Sequence, residues 1–98
     1  MHVASLTLEL RLAHVHSLKE KRSVVRPIID GAHRRFSVAA AEVDHQDAWQ
    51  LATVGVAAVS GSARHAHEVI DAVERFVWSF PEVEVISAAR GWATEDDG

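Results

Sequence analysis

The chain contains no cysteine and no apolar run long enough to cross a membrane. Without cysteine, a disulfide framework, a cysteine-ligated zinc site and a thiol nucleophile are all excluded. A membrane-spanning helix needs about 20 consecutive apolar residues, and no segment approaches that length. The first residues, Met1 to Ser5, lack the basic region and the cleavage site of a signal peptide. Together these absences predict a cytoplasmic protein.

Positive charge is scarce overall and concentrated in one segment. The chain carries 10 basic and 14 acidic residues, and its net charge of −4 argues against a general nucleic-acid-binding protein. Six of the basic residues nevertheless fall between residues 17 and 36, where only two acidic residues occur. Such a segment can present a basic helix face to a polyanion or to an acidic protein, although an ordinary solvated helix face has the same composition.

The length and composition fit one small globular domain. The 98 residues are 48% hydrophobic and 24% charged, which allows a core without disulfides or metal. We expect residues 1–92 to form a single domain and residues 93–98, which include three consecutive acidic side chains, to form a disordered tail.

Hydrophobic periodicity predicts six elements of secondary structure. Leucines alternate with polar residues from Leu6 onwards, as in a half-buried strand, and Ser17 with Glu20 forms a capping box that begins a helix. Pro27 and Gly31 lie inside that helix and predict a kink or an irregular turn. The elements are strand, helix, strand, strand, helix and strand, at about residues 5–12, 17–36, 37–43, 51–60, 62–80 and 82–89.

The order βαββαβ predicts the ferredoxin-like arrangement, an α+β sandwich of the broad α/β class. Four antiparallel strands then form one sheet, both helices cover one of its faces, and the other face stays open. An RNA-recognition motif of this topology stacks bases on aromatic residues of its central strands, but the third strand here has none. The small residues Ala39, Ala41 and Ala57 instead favour sheet-to-sheet packing in a homodimer.

Four motifs along the chain resemble those of the YlxP-like family of small bacterial proteins. They are SLKEKRSV at residues 17–24, RFSV at 35–38 running on to AEVD at 41–44, QDAWQ at 46–50, and SFPE at 79–82. The resemblance covers about residues 3–90 and implies a ferredoxin-like fold. Pro27 and Gly31 depart from it, because similar proteins usually carry ordinary helix formers there.

The function of this family is unknown, and the resemblance supplies no catalytic residue. Genes of family members often lie beside genes for translation-initiation and ribosome-maturation factors. The resemblance therefore implies work related to the ribosome, by an argument from analogy and not from the residues themselves.

The basic first helix is the best candidate for a binding site. At 100° per residue, Lys19, Arg22, Arg26 and His33 fall within about 60° of one another and form a ridge beside the apolar stripe. Lys21 falls inside the apolar arc, and we expect it to project past the core from the first turn. We predict that these residues contact nucleic acid or a partner, because several contacts to phosphates release counterions.

Other candidates for chemistry are weaker. The His-x-His pairs at residues 14–16 and 65–67 lack a nearby carboxylate or a shared helix face, so no metal site is predicted. Residues 44–50 combine Asp, His and Trp without a nucleophile motif or a phosphate-binding loop, so we predict no catalytic residue, no enzymatic activity and no cofactor. Trp49, and Trp78 on the polar face of the second helix, are candidates for protein contacts.

Two functional hypotheses remain. In the first, the protein is a non-catalytic accessory factor linked to translation or ribosome maturation, whose basic first helix contacts ribosomal RNA or a translation-associated protein. In the second, it is a homodimeric domain that binds a protein or a small ligand through its sheet, without contact to nucleic acid.

Overall fold

The four strands form one antiparallel sheet with the order β2-β3-β1-β4, and two helices lie over it. A computed structural model describes residues 1–95. The elements are β1 (His2–Arg11), α1 (Leu18–Phe36), β2 (Ala39–Asp44), β3 (Leu51–Ser60), α2 (Ala63–Trp78) and β4 (Glu84–Thr94). This arrangement confirms the predicted ferredoxin-like fold. No helix in the described residues is long and apolar enough to span a bilayer.

The core lies between the helices and the face of the sheet formed by alternate residues of β1. Leu6, Leu8 and Leu10 are at most 1% exposed, as their period of two predicts. Leu6 pairs with Val56 of β3, and the alternate residues of β3 are buried with it. From α2, Ile70 and Val73 and their neighbours at helical spacing cover this face.

α1 runs without interruption through Pro27 and Gly31, so the irregular turn expected there does not form. Pro27 lies on the exposed side of the helix. The carbonyl group of Ser23, which loses its helical N–H donor at Pro27, therefore faces water instead of the core.

Gly31 brings the two helices close together. It is buried in α1, and a Cβ at this position would lie 2.5 Å from Cζ of Phe76 on α2. The ring of Phe76 is held in place by edge-to-face contacts with Phe36 and Phe80, at centroid distances of 5.5 and 5.1 Å. The glycine thus serves the packing of α1 against α2, and its lower helix propensity is the cost of that contact.

β4 is longer than the sequence pattern predicts. It continues past Ala89 to Thr94, where Ala93 pairs with Val3 and Thr94 with His2. Two residues of the predicted disordered tail are therefore part of the sheet, and residues 96–98 of that tail lie outside the described residues. Gly91 lies beyond the predicted end of this strand, and in the sheet it leaves room for the side chain of Ser5 on the neighbouring strand.

The packing at Gly31 makes a direct prediction. Gly31→Ala, which would normally stabilise a helix by about 1 kcal/mol, should here lower the free energy of unfolding by about 1–3 kcal/mol, because the new methyl group overlaps Phe76. Urea unfolding of the variant measures this. The double variant Gly31→Ala/Phe76→Leu removes the overlap and should lose less stability than the sum of its two single variants, whereas additive losses would contradict the account.

Candidate functional site

α1 begins with a cap that fixes the direction of its first side chains. Ser17 Oγ accepts a hydrogen bond from the backbone N–H of Glu20 at 3.1 Å. Glu20 Oε2 accepts one from the backbone N–H of His16 at 3.2 Å, whereas in a standard capping box the donor would be the N–H of the next residue, Ser17. The carboxylate therefore also holds the incoming loop against the first turn of the helix.

Four basic side chains lie along the solvent side of α1. Lys19, Arg22, Arg26 and Arg34 are exposed and border one shallow groove, and we call these four residues the basic face. Their intervals of three, four and eight residues place them on one side of the helix over about 22 Å. Within residues 1–95 none of the four has a carboxylate at ion-pair distance, although Asp30 borders the same groove.

Lys21 is not part of this surface, which corrects its assignment as a binding residue. Its side chain is 2% exposed, and Nζ donates hydrogen bonds to the backbone carbonyls of His45 at 2.6 Å and Ala48 at 2.7 Å. Nζ also lies 2.6 Å from Oε2 of Glu42, a buried atom that has no other polar partner within residues 1–95. Two of these three oxygen atoms accept hydrogen bonds and the Glu42 carboxylate pairs with the charge, so the buried ammonium is not available to a ligand.

His33 also acts within the fold. Its Nδ1 lies 2.8 Å from the carbonyl oxygen of Val38, and its Nε2 lies 3.1 Å from that of Ala40. Next to it, Ser37 ends α1 in the left-handed conformation, with φ of 54°, and donates its N–H to the carbonyl of His33. The imidazole therefore ties the end of α1 to β2. His33 itself is exposed, and its predicted contact with nucleic acid or a partner stays a prediction.

Arg34 belongs to the basic face and was missed by the sequence analysis. At 100° per residue it lies about 80° from Arg26, outside the arc of about 60° that defined the ridge, although it borders the same groove as the other three. Its neighbour Arg35 is directed elsewhere, since its guanidinium lies over the rings of Phe36 and Phe76 at 5.7 and 5.0 Å.

The two tryptophans predicted to contact partners are exposed, but they lie on different parts of the molecule. Trp49, 52% exposed, follows the β2–β3 turn and borders a groove with Arg11 and Gln50. Trp78, 60% exposed, ends α2 and borders a smaller groove with Arg90 of β4. Neither groove includes a residue of the basic face, and each tryptophan stays a separate candidate.

The histidine pairs form no metal-binding cluster among the described residues. No three histidine or acidic side chains within residues 1–95 come together as ligands of one ion. His67 instead stacks on Trp92, with ring centroids 4.4 Å apart, and His45 lies 3.8 Å from a carboxylate oxygen of Glu9.

The fold and this site define a small ferredoxin-like α+β domain with one basic helix face that has no carboxylate partner among residues 1–95. The chain belongs to the family described as "Protein of unknown function (DUF503)", which its residues 3–90 match. It is 38% identical over 76 residues to the "Uncharacterized protein YlxP" of Bacillus subtilis (strain 168), a match that covers 78% of this chain and 83% of that protein. The predicted membership in the YlxP-like family is thus confirmed.

The buried ammonium of Lys21 makes a second prediction. Lys21→Met should lower the free energy of unfolding by about 3 kcal/mol, because it leaves the Glu42 carboxylate and two carbonyl groups without their donor. Lys19→Met, two residues earlier and exposed, should change it by less than about 0.5 kcal/mol. Thermal or urea unfolding compares the two variants, and equal losses of stability would show that Lys21 has no special role.

Proposed function

We propose that this protein is a non-catalytic accessory factor in translation or ribosome maturation, and that it contacts the phosphates of RNA through the basic face of α1. The observation that carries the proposal is the row of four exposed cations without carboxylate partners in residues 1–95. Elsewhere in the described chain, Arg11, Arg64 and Arg90 each lie within ion-pair distance of a carboxylate. Arg35 and Arg75 also have no carboxylate at that distance within residues 1–95, but the basic face brings four such cations to one groove.

The overall acidity of the chain supports a directed approach to a polyanion. The net charge is −4, so the surface outside α1 is predominantly acidic and repels phosphates. Such an uneven distribution orients the protein as it approaches RNA, with the basic face forward, and also disfavours binding in other orientations.

The contacts expected from this surface are to the RNA backbone and not to base edges. Lysine and arginine side chains on an exposed helix reach phosphates readily, and phosphate contacts position a protein without reading sequence. The open face of the sheet carries Ser5, Thr7 and Ala57 where an RNA-recognition motif would carry aromatic residues. We therefore expect RNA binding that depends on salt and shape more than on sequence.

The salt dependence of binding tests this proposal. Four phosphate contacts predict a slope of log K against log salt of about −3 for RNA. Arg22→Ala/Arg26→Ala should reduce that slope by about half and weaken binding of a labelled ribosomal RNA fragment, measured by fluorescence anisotropy. Circular dichroism should show that this double variant is folded.

The matched control is Arg64→Ala/Arg75→Ala, which removes the same charge from exposed positions of α2. It should leave the slope nearly unchanged. If the two double variants weaken binding equally, the effect comes from net charge alone and not from the basic face. Binding without salt dependence would contradict the proposal.

A second candidate function is supported by the open face of the sheet. Val43 and Val59 on this face are 56% and 65% exposed, and small residues between the strands, among them Ala41 and Gly55, line a shallow apolar trough. A homodimer, a protein partner or a small apolar ligand could cover it. Self-association that Ala41→Lys abolishes would favour this function, and a wild-type monomer at all concentrations would exclude a dimer through this face.

A further inference from the structure

β4 is a long edge strand with few of the features that protect such edges. It spans 11 residues and pairs with β1 on one side only. Its sequence contains no proline and no lysine, and after a register shift near Ile86 its pairing is regular from Ser87 to Thr94. The opposite edge strand, β2, has six residues, two of them acidic, and a register shift between Glu42 and Asp44. Short length, charge and bulges are the usual protection against edge-to-edge pairing, and β4 largely lacks them.

The direction of the free backbone groups of β4 follows from the hydrogen bonds at the ends of β1. Leu12 donates its N–H to Gln50, on the β3 side, whereas Met1 and Glu95 exchange hydrogen bonds at 2.9 Å on the β4 side. Because these directions alternate along an antiparallel strand, Ser87, Ala89, Gly91 and Ala93 bond to β1. The N–H and C=O groups of the intervening residues point away from the sheet, and these residues are Ala88, Arg90, Trp92 and Thr94.

The one charged side chain in this regular stretch does not protect the edge. Arg90 donates hydrogen bonds to Asp71 and Glu74 of α2, both at 2.7 Å. These bonds, the one to Glu74 first, raise the pKa of Arg90 above its ordinary value. The guanidinium is thus neutralised within the same molecule and does not repel an approaching strand.

Two exposed aromatic side chains flank the free edge. Trp92 is 45% exposed and stacks on His67 of α2, and Trp78 is 60% exposed at the end of the same helix. Exposed tryptophans beside unpaired backbone groups are typical of the centre of an interface and not of a solvated edge. The edge of β4 and the adjoining side of α2 therefore form one continuous surface.

We propose that β4 pairs antiparallel with β4 of a second copy of this chain, about a two-fold axis at Gly91, so that the sheets of the two copies become continuous. Hydrogen-bonded pairs must join residues with free backbone groups. Centring on Gly91 places Arg90 opposite Trp92 of the partner subunit, and Ala88 opposite Thr94 of the partner subunit. An arginine beside an indole ring is a favourable cross-strand pair.

The registers centred on Arg90 and on Ala89 are less favourable. An axis at Arg90 would place Ala88 opposite Trp92 of the partner subunit and would lose the pairing of an arginine with an indole ring. An axis at Ala89 would bring the irregular pairing near Ile86 opposite Trp92 of the partner subunit. The strand is therefore self-complementary in the register centred on Gly91, as a two-fold symmetric interface requires, and this favours a second copy over an unrelated peptide.

A stable homodimer buries about 1,200 Å² or more, and a strand edge alone supplies only part of that area. The exposed side of α2, with Trp78, supplies the remainder when the two copies meet. α1 lies over β2 at the opposite edge of the sheet, so both basic faces stay exposed in this dimer. The interface is independent of the proposed RNA contact.

Sedimentation velocity across a dilution series of the full chain tests the dimer. Ala88→Pro removes an outward N–H without breaking the ladder to β1, and it should convert the dimer to a folded monomer. Ala41→Lys, on the open face, should leave the dimer intact. A wild-type protein that is monomeric throughout, or a dimer lost in Ala41→Lys and kept in Ala88→Pro, would overturn the proposal.

A cysteine pair tests the register without disturbing the edge. In the proposed dimer Ala89 faces Ala93 of the partner subunit as a non-hydrogen-bonded pair, with Cα atoms about 4.5 Å apart, which suits a disulfide. Within one chain these residues are four apart along a strand, about 13 Å, and cannot form one.

Because the chain has no native cysteine, mild oxidation of Ala89→Cys/Ala93→Cys should give a covalent dimer, and Ala89→Cys alone should not. No covalent dimer from the double variant would overturn the proposal. Equal crosslinking of the single variant would overturn the register centred on Gly91.

Discussion

The ammonium group of Lys21 holds the first helix to the β2–β3 hairpin, and this attachment fixes which side of α1 faces the rest of the fold. An ammonium without partners would not be stable at this depth, so the fold surrounds it with three oxygen atoms. Two of these are carbonyl groups of the β2–β3 connection. The carbonyl of His45 also accepts the N–H of Ala48, whereas the carbonyl of Ala48 would otherwise need another donor or water. Burial of one cation thus organises a loop, a strand and a helix at the same point.

This attachment also determines which cations remain outside. With Lys21 directed at the hairpin and the apolar stripe of α1 on the sheet, the helical repeat directs Lys19, Arg22, Arg26 and Arg34 to solvent. The other end of α1 is fixed by the imidazole of His33. Charge within this one helix therefore has two roles, since some basic side chains hold the helix in place and others stay available.

Sequence reasoning predicted the elements well because their patterns are local. The alternation around Leu6 and Leu8 and the cap at Ser17 each need only a few neighbouring residues to be recognised. Lys21 lay inside the apolar arc, which was a correct sign of burial, but its acceptors are carbonyl groups 24 and 27 residues away that carry no sequence signature. The hydrogen bonds of His33 were not predicted either, because their acceptors are also backbone oxygen atoms, which carry no sequence signature.

Glycines were the other source of error, because their role depends on a neighbour from another element. Gly31 suggested an irregular turn in the helix and instead leaves room for Phe76. Gly91 lay beyond the predicted end of the last strand and instead pairs in the sheet, where it leaves room for Ser5. For this reason the extension of β4 to Thr94 was not predicted. It creates the long free edge beside Trp92, a surface that no local pattern indicated.

The most direct test of the central claim is a titration of the isotopically labelled protein with a ribosomal RNA fragment, followed by NMR of backbone amides and arginine side chains. The account predicts that the side-chain Nε–H signals of Arg22, Arg26 and Arg34 shift together, while the amides that surround Lys21 and the open sheet face do not. Shifts concentrated on the sheet face or on the indole N–H of Trp49, or no shifts at low salt, would contradict it.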